Sequence, residues 1–78
     1  MTSLDRYTTA FATALEVPAQ EVSALVYGQN AAWDSVGHMT LVAHLEDAFD
    51  IMMEMDDIID LSSFEKGKEI LRKYDVDI

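Results

Sequence analysis

Cysteine is absent from the 78 residues, which excludes a disulfide framework and a thiolate metal site. Imidazole is scarce too. His38 and His44 are six positions apart, which does not place them on one helix face, so no metal centre is expected. Basic residues are few: five Lys and Arg stand against fifteen Asp and Glu, for a net charge of −10. That balance argues against nucleic acid or an anionic membrane as a partner. No apolar stretch approaches the ~20 residues needed to span a bilayer. The first residues lack the basic region and apolar run of a secretory signal. The expectation is a soluble, cytoplasmic, monomeric chain. With one proline, three glycines and no strand-like alternation, little interrupts a helical reading. A chain this short makes one domain over residues 1–78 and buries only roughly 60% of its unfolded surface.

What is present is an unevenly charged, half-apolar sequence. Between Asp34 and Asp60 there are eight carboxylates and no Lys or Arg. Four of the five basic residues (Lys66, Lys68, Arg72 and Lys73) fall near the C-terminus. The pattern describes a folded domain with one strongly negative face, suited to basic partners.

The first helix is expected from Ser3, as N-cap, to about Leu15. Leu4, Tyr7, Phe11, Ala14 and Leu15 recur at helical spacing as one apolar stripe. Val17-Pro18 ends it, because the residue before proline is driven out of the helical region. From Glu16 to Trp33 the pattern is weak. Val22, Leu25, Val26 and Tyr27 suggest a short helical turn, and Gly28-Gln29-Asn30 a chain reversal. Val22, Leu25 and Trp33 are the residues expected to pack this connection down.

Asp34 has the chemistry of an N-cap, and Ser35 opens the second helix, which runs to about Phe49. At about 100° per residue, Leu41, Val42, Leu45, Ala48 and Phe49 share one side, with His38 near its start. Val36, Met39 and Ala43 cluster roughly opposite, bordered by Thr40, Glu46 and Asp47. A surface helix needs only one apolar face. A second, smaller one rimmed by carboxylates has the anatomy of an interface; a central helix packed on both sides would show the same pattern.

Beyond Phe49 lies an acidic, methionine-rich hinge. Asp56 is a candidate cap for a short helix from Asp57 to Leu61, with Ile58 and Leu61 facing in. Asp50, Glu54, Asp56, Asp57 and Asp60 invite a calcium reading, but EF-hand spacing and its central glycine are absent. Ser62 to Glu65 fits a capping box for the last helix, whose inward stripe is Phe64, Gly67, Ile70, Leu71 and Tyr74. Gly67 implies close packing against a neighbour. Lys66, Lys68, Arg72 and Lys73 are expected on a solvated face, and residues 75–78 to fray. The sum is an all-α fold, a small bundle of three main helices and one short one.

No enzyme emerges. Asp34, Ser35 and His38 crowd into one helical turn, where Asp34 cannot orient His38 against Ser35. No glycine-flanked nucleophile turn, phosphate loop or metal spacing is present. Taken alone, Asp34-Ser35 is an ordinary helix start.

In context, the run Trp33-Asp34-Ser35-Val36-Gly37-His38-Met39 through Leu45-Glu46-Asp47-Ala48-Phe49-Asp50, midway along a short acidic helical chain, resembles the acyl carrier proteins. That family carries Asp-Ser-Leu or a near variant at the start of its second helix. The resemblance covers about Leu4 to Tyr74. It implies that Ser35 accepts 4′-phosphopantetheine from coenzyme A through a phosphopantetheinyl transferase, with Asp34 completing the motif. The arm's thiol would then hold an acyl or aminoacyl group as a thioester. Val36, Met39, Ala43, Glu46 and Asp47 would meet the loading enzyme and the downstream transferase or synthase. Met53, Ile58 and Leu61 would shelter the cargo. No catalytic residue is implied.

The sequence departs from fatty-acid members of the family. Val36 replaces the usual leucine, Gly37 and His38 stand where acidic or polar residues are common, and Thr40 where an acid is frequent. These departures imply a specialised stand-alone carrier, with an aminoacyl carrier similar to peptidyl or D-alanyl carrier proteins as the neighbouring possibility. The alternative from another class is an acidic helical adaptor or inhibitor that binds a basic partner without a prosthetic group.

Overall fold

The computed structural model describes residues 2–29 and 31–78; Asn30, the last residue of the expected chain reversal, lies outside the described residues. Helix α1 spans Ser3–Leu15, a 3₁₀ helix spans Ala19–Ala24, and α2 spans Ser35–Phe49. Helix α3 spans Met55–Asp60 and α4 spans Phe64–Arg72. The architecture is a small all-α bundle. Among the described residues the only extended pairing is an isolated antiparallel bridge between Val26 and Ser63. No helix among them is long and apolar enough to cross a membrane.

Several helix ends differ from the sequence reading, each for a local reason. The cap of α1 is Thr2, one residue earlier than expected. Its hydroxyl accepts from the Asp5 amide at 3.1 Å while the Asp5 carboxylate accepts from the Thr2 amide at 3.2 Å, a complete capping box. That end meets solvent, so Leu4 is exposed and drops out of the inward stripe. The regular turn in the long connection is Ala19–Ala24, upstream of the expected Val22–Tyr27. Residues beyond it run extended because they pair with the approach to α4: the Tyr27 amide donates to Ser62 O at 2.8 Å and the Phe64 amide to Leu25 O at 3.4 Å. This pairing also moves the α4 cap. With the Ser62 carbonyl engaged, Ser63 caps instead, its hydroxyl accepting from the Lys66 amide at 3.0 Å.

Helix α3 begins at Met55 after Glu54, not at Asp57 after Asp56, and no side chain within its own turn caps it. A distant group supplies the acceptor: the Tyr74 hydroxyl takes the Glu54 amide at 2.9 Å. Helix α2 has the bounds expected for it.

The core is built from α1, α2 and α4 around aromatic rings. Tyr7 and Phe11 of α1 meet Phe64 of α4 with ring centroids 4.7 and 5.1 Å apart, and Phe11 meets Trp33 edge-on at 5.3 Å. Rings at these spacings and tilts attract beyond the area they bury. Trp33 is fully buried, and Val22 and Leu25 join it, so the long connection packs down through the three residues expected to hold it. Leu15, Leu41, Val42, Leu45, Leu61, Ile70 and Leu71 fill the rest. Arg6, the one basic residue outside α4 and its trailing turn, lies over the Phe49 ring at 5.0 Å and fastens α1 to the end of α2.

Candidate attachment site and docking face

The site begins where the long connection turns into α2. The Asp34 carboxylate accepts from the Gly37 amide at 2.8 Å, and the Asp34 carbonyl takes the His38 amide at 2.8 Å, as an N-cap should. The first amides of any helix lack intrahelical acceptors. Those of Ser35 and Val36 have no protein acceptor among the described residues. Ser35 itself is exposed. Its hydroxyl therefore stands in solvent beside two unspent N–H donors at the positive end of a helix.

Gly37 fixes that placement. A Cβ there would lie 2.2 Å from the Ala32 carbonyl oxygen and 3.2 Å from a Leu15 methyl. The helix start is thus pressed against backbone that only a glycine lets approach. A glycine inside a helix costs about 1 kcal/mol relative to alanine, and this close approach is the reason for it here.

Outward from Ser35, the second apolar face of α2 is uncovered. Val36 is 76% exposed and Met39 56%, and with Ala43, Thr40 and His44 they line a shallow apolar depression that reaches Ser35. Asp47, one turn beyond Ala43 on α2, is exposed. Glu46 is placed differently from the rest: it is half-buried, and its carboxylate accepts from the Met53 amide at 2.9 Å, holding the chain after α2. Between Asp34 and Asp60 the exposed carboxylates are Asp34, Asp47, Asp50, Glu54, Asp56 and Asp60. No three His, Asp or Glu side chains among the described residues come together as a metal-holding group.

On the other side of α2, toward α3, lies a half-open cavity of about 310 Å³ lined by Tyr27, His38, Ile58, Ile59, Leu61 and Ser62. Ile58 and Leu61 are brought together there. Met53 is buried in the core and is not among the lining residues. Sequence reasoning left Tyr27, His38, Ile59 and Ser62 out of this wall. His38 was expected on the core side, but its partner is across a helix boundary, where helical periodicity gives no signal.

That partner is Trp33. The indole Nε1–H donates to His38 Nδ1 at 2.9 Å, and His38 Nε2 lies 2.7 Å from the Ile58 carbonyl. An indole N–H can only donate, so Nδ1 accepts and the ring proton sits on Nε2, donating to Ile58. Both ring nitrogens are spent in these contacts. With His38 committed here and Asp34 to Gly37, the Ser35 hydroxyl has no general base beside it in this arrangement.

A second polar group holds α3 from behind. Asp57 is buried, pairs with the Lys73 ammonium, and accepts from the Tyr74 hydroxyl. The Lys73 and Tyr74 hydrogen bonds hold the Asp57 carboxyl below its ordinary range, against the opposing effect of burial. The Asp57 hydrogen bond raises Lys73. Burial, then the Asp57 contact, raises Tyr74. Sequence reasoning put Lys73 on a solvated face and Asp57 among the hinge acids; the structure pairs them. Lys68 is likewise engaged, lying 2.9 Å from Glu65 and over the Phe64 ring at 5.4 Å. Lys68 and Lys73 are thus drawn into contacts around α4, and among the described residues no Lys or Arg pairs with Asp47, Asp50, Glu54, Asp56 or Asp60.

No protein-family model, no curated protein and no solved structure matches this chain.

Proposed function

We propose that this chain is a carrier protein bearing 4′-phosphopantetheine on Ser35. The observation that carries the reading is the setting of the Ser35 hydroxyl. It is exposed at the head of α2, flanked by the free Ser35 and Val36 amides, and continuous with an uncovered apolar strip. An anionic phosphodiester suits such a helix N-terminus. Asp34 keeps the helix start in register by taking the Gly37 amide, so the attachment point is rigid. When bound, the arm supplies a thiol that holds an acyl or aminoacyl group as a thioester. Val36, Met39 and Ala43 give a partner enzyme apolar contact, and Asp47 with its neighbouring carboxylates steers a basic surface toward Ser35. Fast, weak, charge-steered encounters suit a protein that visits a loading enzyme and then a downstream transferase or synthase. The departures at Gly37, His38 and Thr40 favour a specialised pathway.

The test is intact mass after incubation with coenzyme A and broad-specificity phosphopantetheinyl transferases. A single added arm is expected on the native chain and none on Ser35→Ala, with circular dichroism unchanged. A native chain that no transferase modifies, combined with partner binding that Ser35→Ala leaves intact, would move the assignment to the acidic adaptor.

A further inference from the structure

We propose that His38 is a protonation-sensitive strut: neutral, it ties α3 and the cavity wall to Trp33, and on gaining a proton it lets go of Trp33.

The geometry leaves the ring one working state. Trp33 is fully buried and its indole N–H has the His38 Nδ1 lone pair as acceptor. Nε2–H donates to the Ile58 carbonyl in α3. A protonated imidazole donates from both nitrogens and accepts from neither. Protonation therefore keeps the Ile58 end of the strut and sets two N–H groups against each other at the Trp33 end. The buried indole N–H loses its acceptor, which is costly in a dry core. Folded with the strut closed, the site binds one proton fewer than with it open. Closure accordingly strengthens as pH rises and weakens as pH falls.

No neighbouring charge compensates an imidazolium there. From the long connection, the titratable group against the ring is Tyr27, edge-on with centroids 5.0 Å apart. From α3, Asp57 adjoins Ile58 but is held by Lys73 and Tyr74, and Asp60 is exposed. From α2 itself, Asp34 is held by the Gly37 amide. Ser62, before α4, does not ionise. Among the described residues no carboxylate pairs with His38.

The strut matters because α3 is short and held chiefly at two places. One is the Asp57 contact with Lys73 and Tyr74; the other is His38. Releasing Trp33 leaves the Ile58 carbonyl bonded to an imidazole that has lost its anchor on the core indole, so the His38–Ile58 side of the cavity is no longer pinned to Trp33. The strut stands whether or not Ser35 bears a prosthetic group.

Trp33 is the single tryptophan, so the indole N–H resonance comes from the strut's own donor. At pH 7.5, nitrogen NMR of the imidazoles should show His38 protonated on Nε2 and bare on Nδ1. As the pH is lowered from 7.5, protection of the Trp33 indole N–H should fall roughly tenfold after correction for intrinsic exchange. The Ile59 amide shift should move in step. His38→Gln offers one acceptor and one donor at similar reach and does not titrate, so its profile should be flat. His44→Gln should keep the transition. A proton on Nδ1 at pH 7.5, pH-invariant indole exchange in the unsubstituted protein, or an equal transition in folded His38→Gln would each overturn the proposal. The first two readouts need no variant.

Discussion

The hydroxyl of Tyr7 occupies the space that a side chain on Gly67 would need. Tyr7 Oη donates to the Phe64 carbonyl at 2.7 Å, and a Cβ on Gly67 would lie 2.0 Å from that same oxygen. Helix α1 is keyed to α4 by one phenol seated over one glycine. Burial, reinforced by the nearby Glu65 charge, pushes the Tyr7 hydroxyl far above its ordinary range, so it stays a donor at every pH the fold survives.

Gly67→Ala should therefore destabilise the protein by about 1–3 kcal/mol, the usual cost of overpacking. This outcome opposes helix propensity, which favours alanine by about 1 kcal/mol. Tyr7→Phe should cost about 1 kcal/mol for the lost hydrogen bond. The double variant should be more stable than the sum of the two, because removing the hydroxyl relieves the nearest clash. Urea melts of all four proteins give the coupling; strict additivity would show that the two residues do not share a contact.

Gly37→Ala should also destabilise, and the Tyr7→Phe change should not relieve it. The obstacle is the Ala32 backbone oxygen, which cannot rotate away as a side chain can. The expected loss is about 1–3 kcal/mol, with a shifted amide resonance for Ser35. A variant as stable as the parent would mean that the connection before α2 yields freely.

Asp57 gives the fold an acid limit. Its carboxyl is held below the ordinary value of 3.8 in the folded state. The stability it contributes is complete above that value and is lost as the pH falls below it, through the folded-state titration. Asp57→Asn should lower the melting temperature at pH 7, and the gap from the parent should narrow below about pH 4, where the unperturbed carboxyl also protonates. A gap constant from pH 7 to pH 2.5 would mean that the charge of Asp57 contributes nothing.

Three turns end on an acidic residue in the left-handed region: Glu16 at φ 55°, Asp50 at φ 53° and Asp75 at φ 64°. In each, the following amide reaches back five residues, from Val17 to Ala12, Ile51 to Glu46 and Val76 to Leu71. Glycine usually holds this position, because a Cβ there costs about 1–2 kcal/mol. A carboxylate also opposes the dipole at a helix C-terminus. Asp50→Gly should raise the melting temperature by roughly 4–8 °C for each kcal/mol gained. Thermal melts that fall on this substitution would show that Asp50 has a stabilising partner.

Local chemistry made α2 legible. A cap, a long apolar pattern and a clear end sit next to one another in sequence, and its bounds and two faces hold. Periodicity placed Val36, Met39 and Ala43 on a second face of α2, and the fold leaves that face uncovered. What escaped was set by tertiary contact. The start of α3 depends on the Tyr74 hydroxyl, and the cap of α4 on the Ser62 carbonyl being occupied. The cavity wall includes Tyr27, from a connection with no periodicity to read. Asp57 and Lys73 are ordinary surface residues in sequence, and only the fold joins them. Glu46 fits the rim of an interface by spacing, yet its carboxylate turns to the Met53 amide.

The bridge between Val26 and Ser63 has a consequence for the order in which the molecule can form. The connection ahead of α2 pairs with chain made much later, at the threshold of α4. Until a ribosome has released that threshold, Leu25 to Tyr27 have no strand partner and the ring cluster lacks Phe64. A nascent chain halted between α3 and α4 should hold α1 and α2 as loose helices with Trp33 still wet. The last helix, remote from Trp33 in sequence, supplies the ring that completes the cluster beside it.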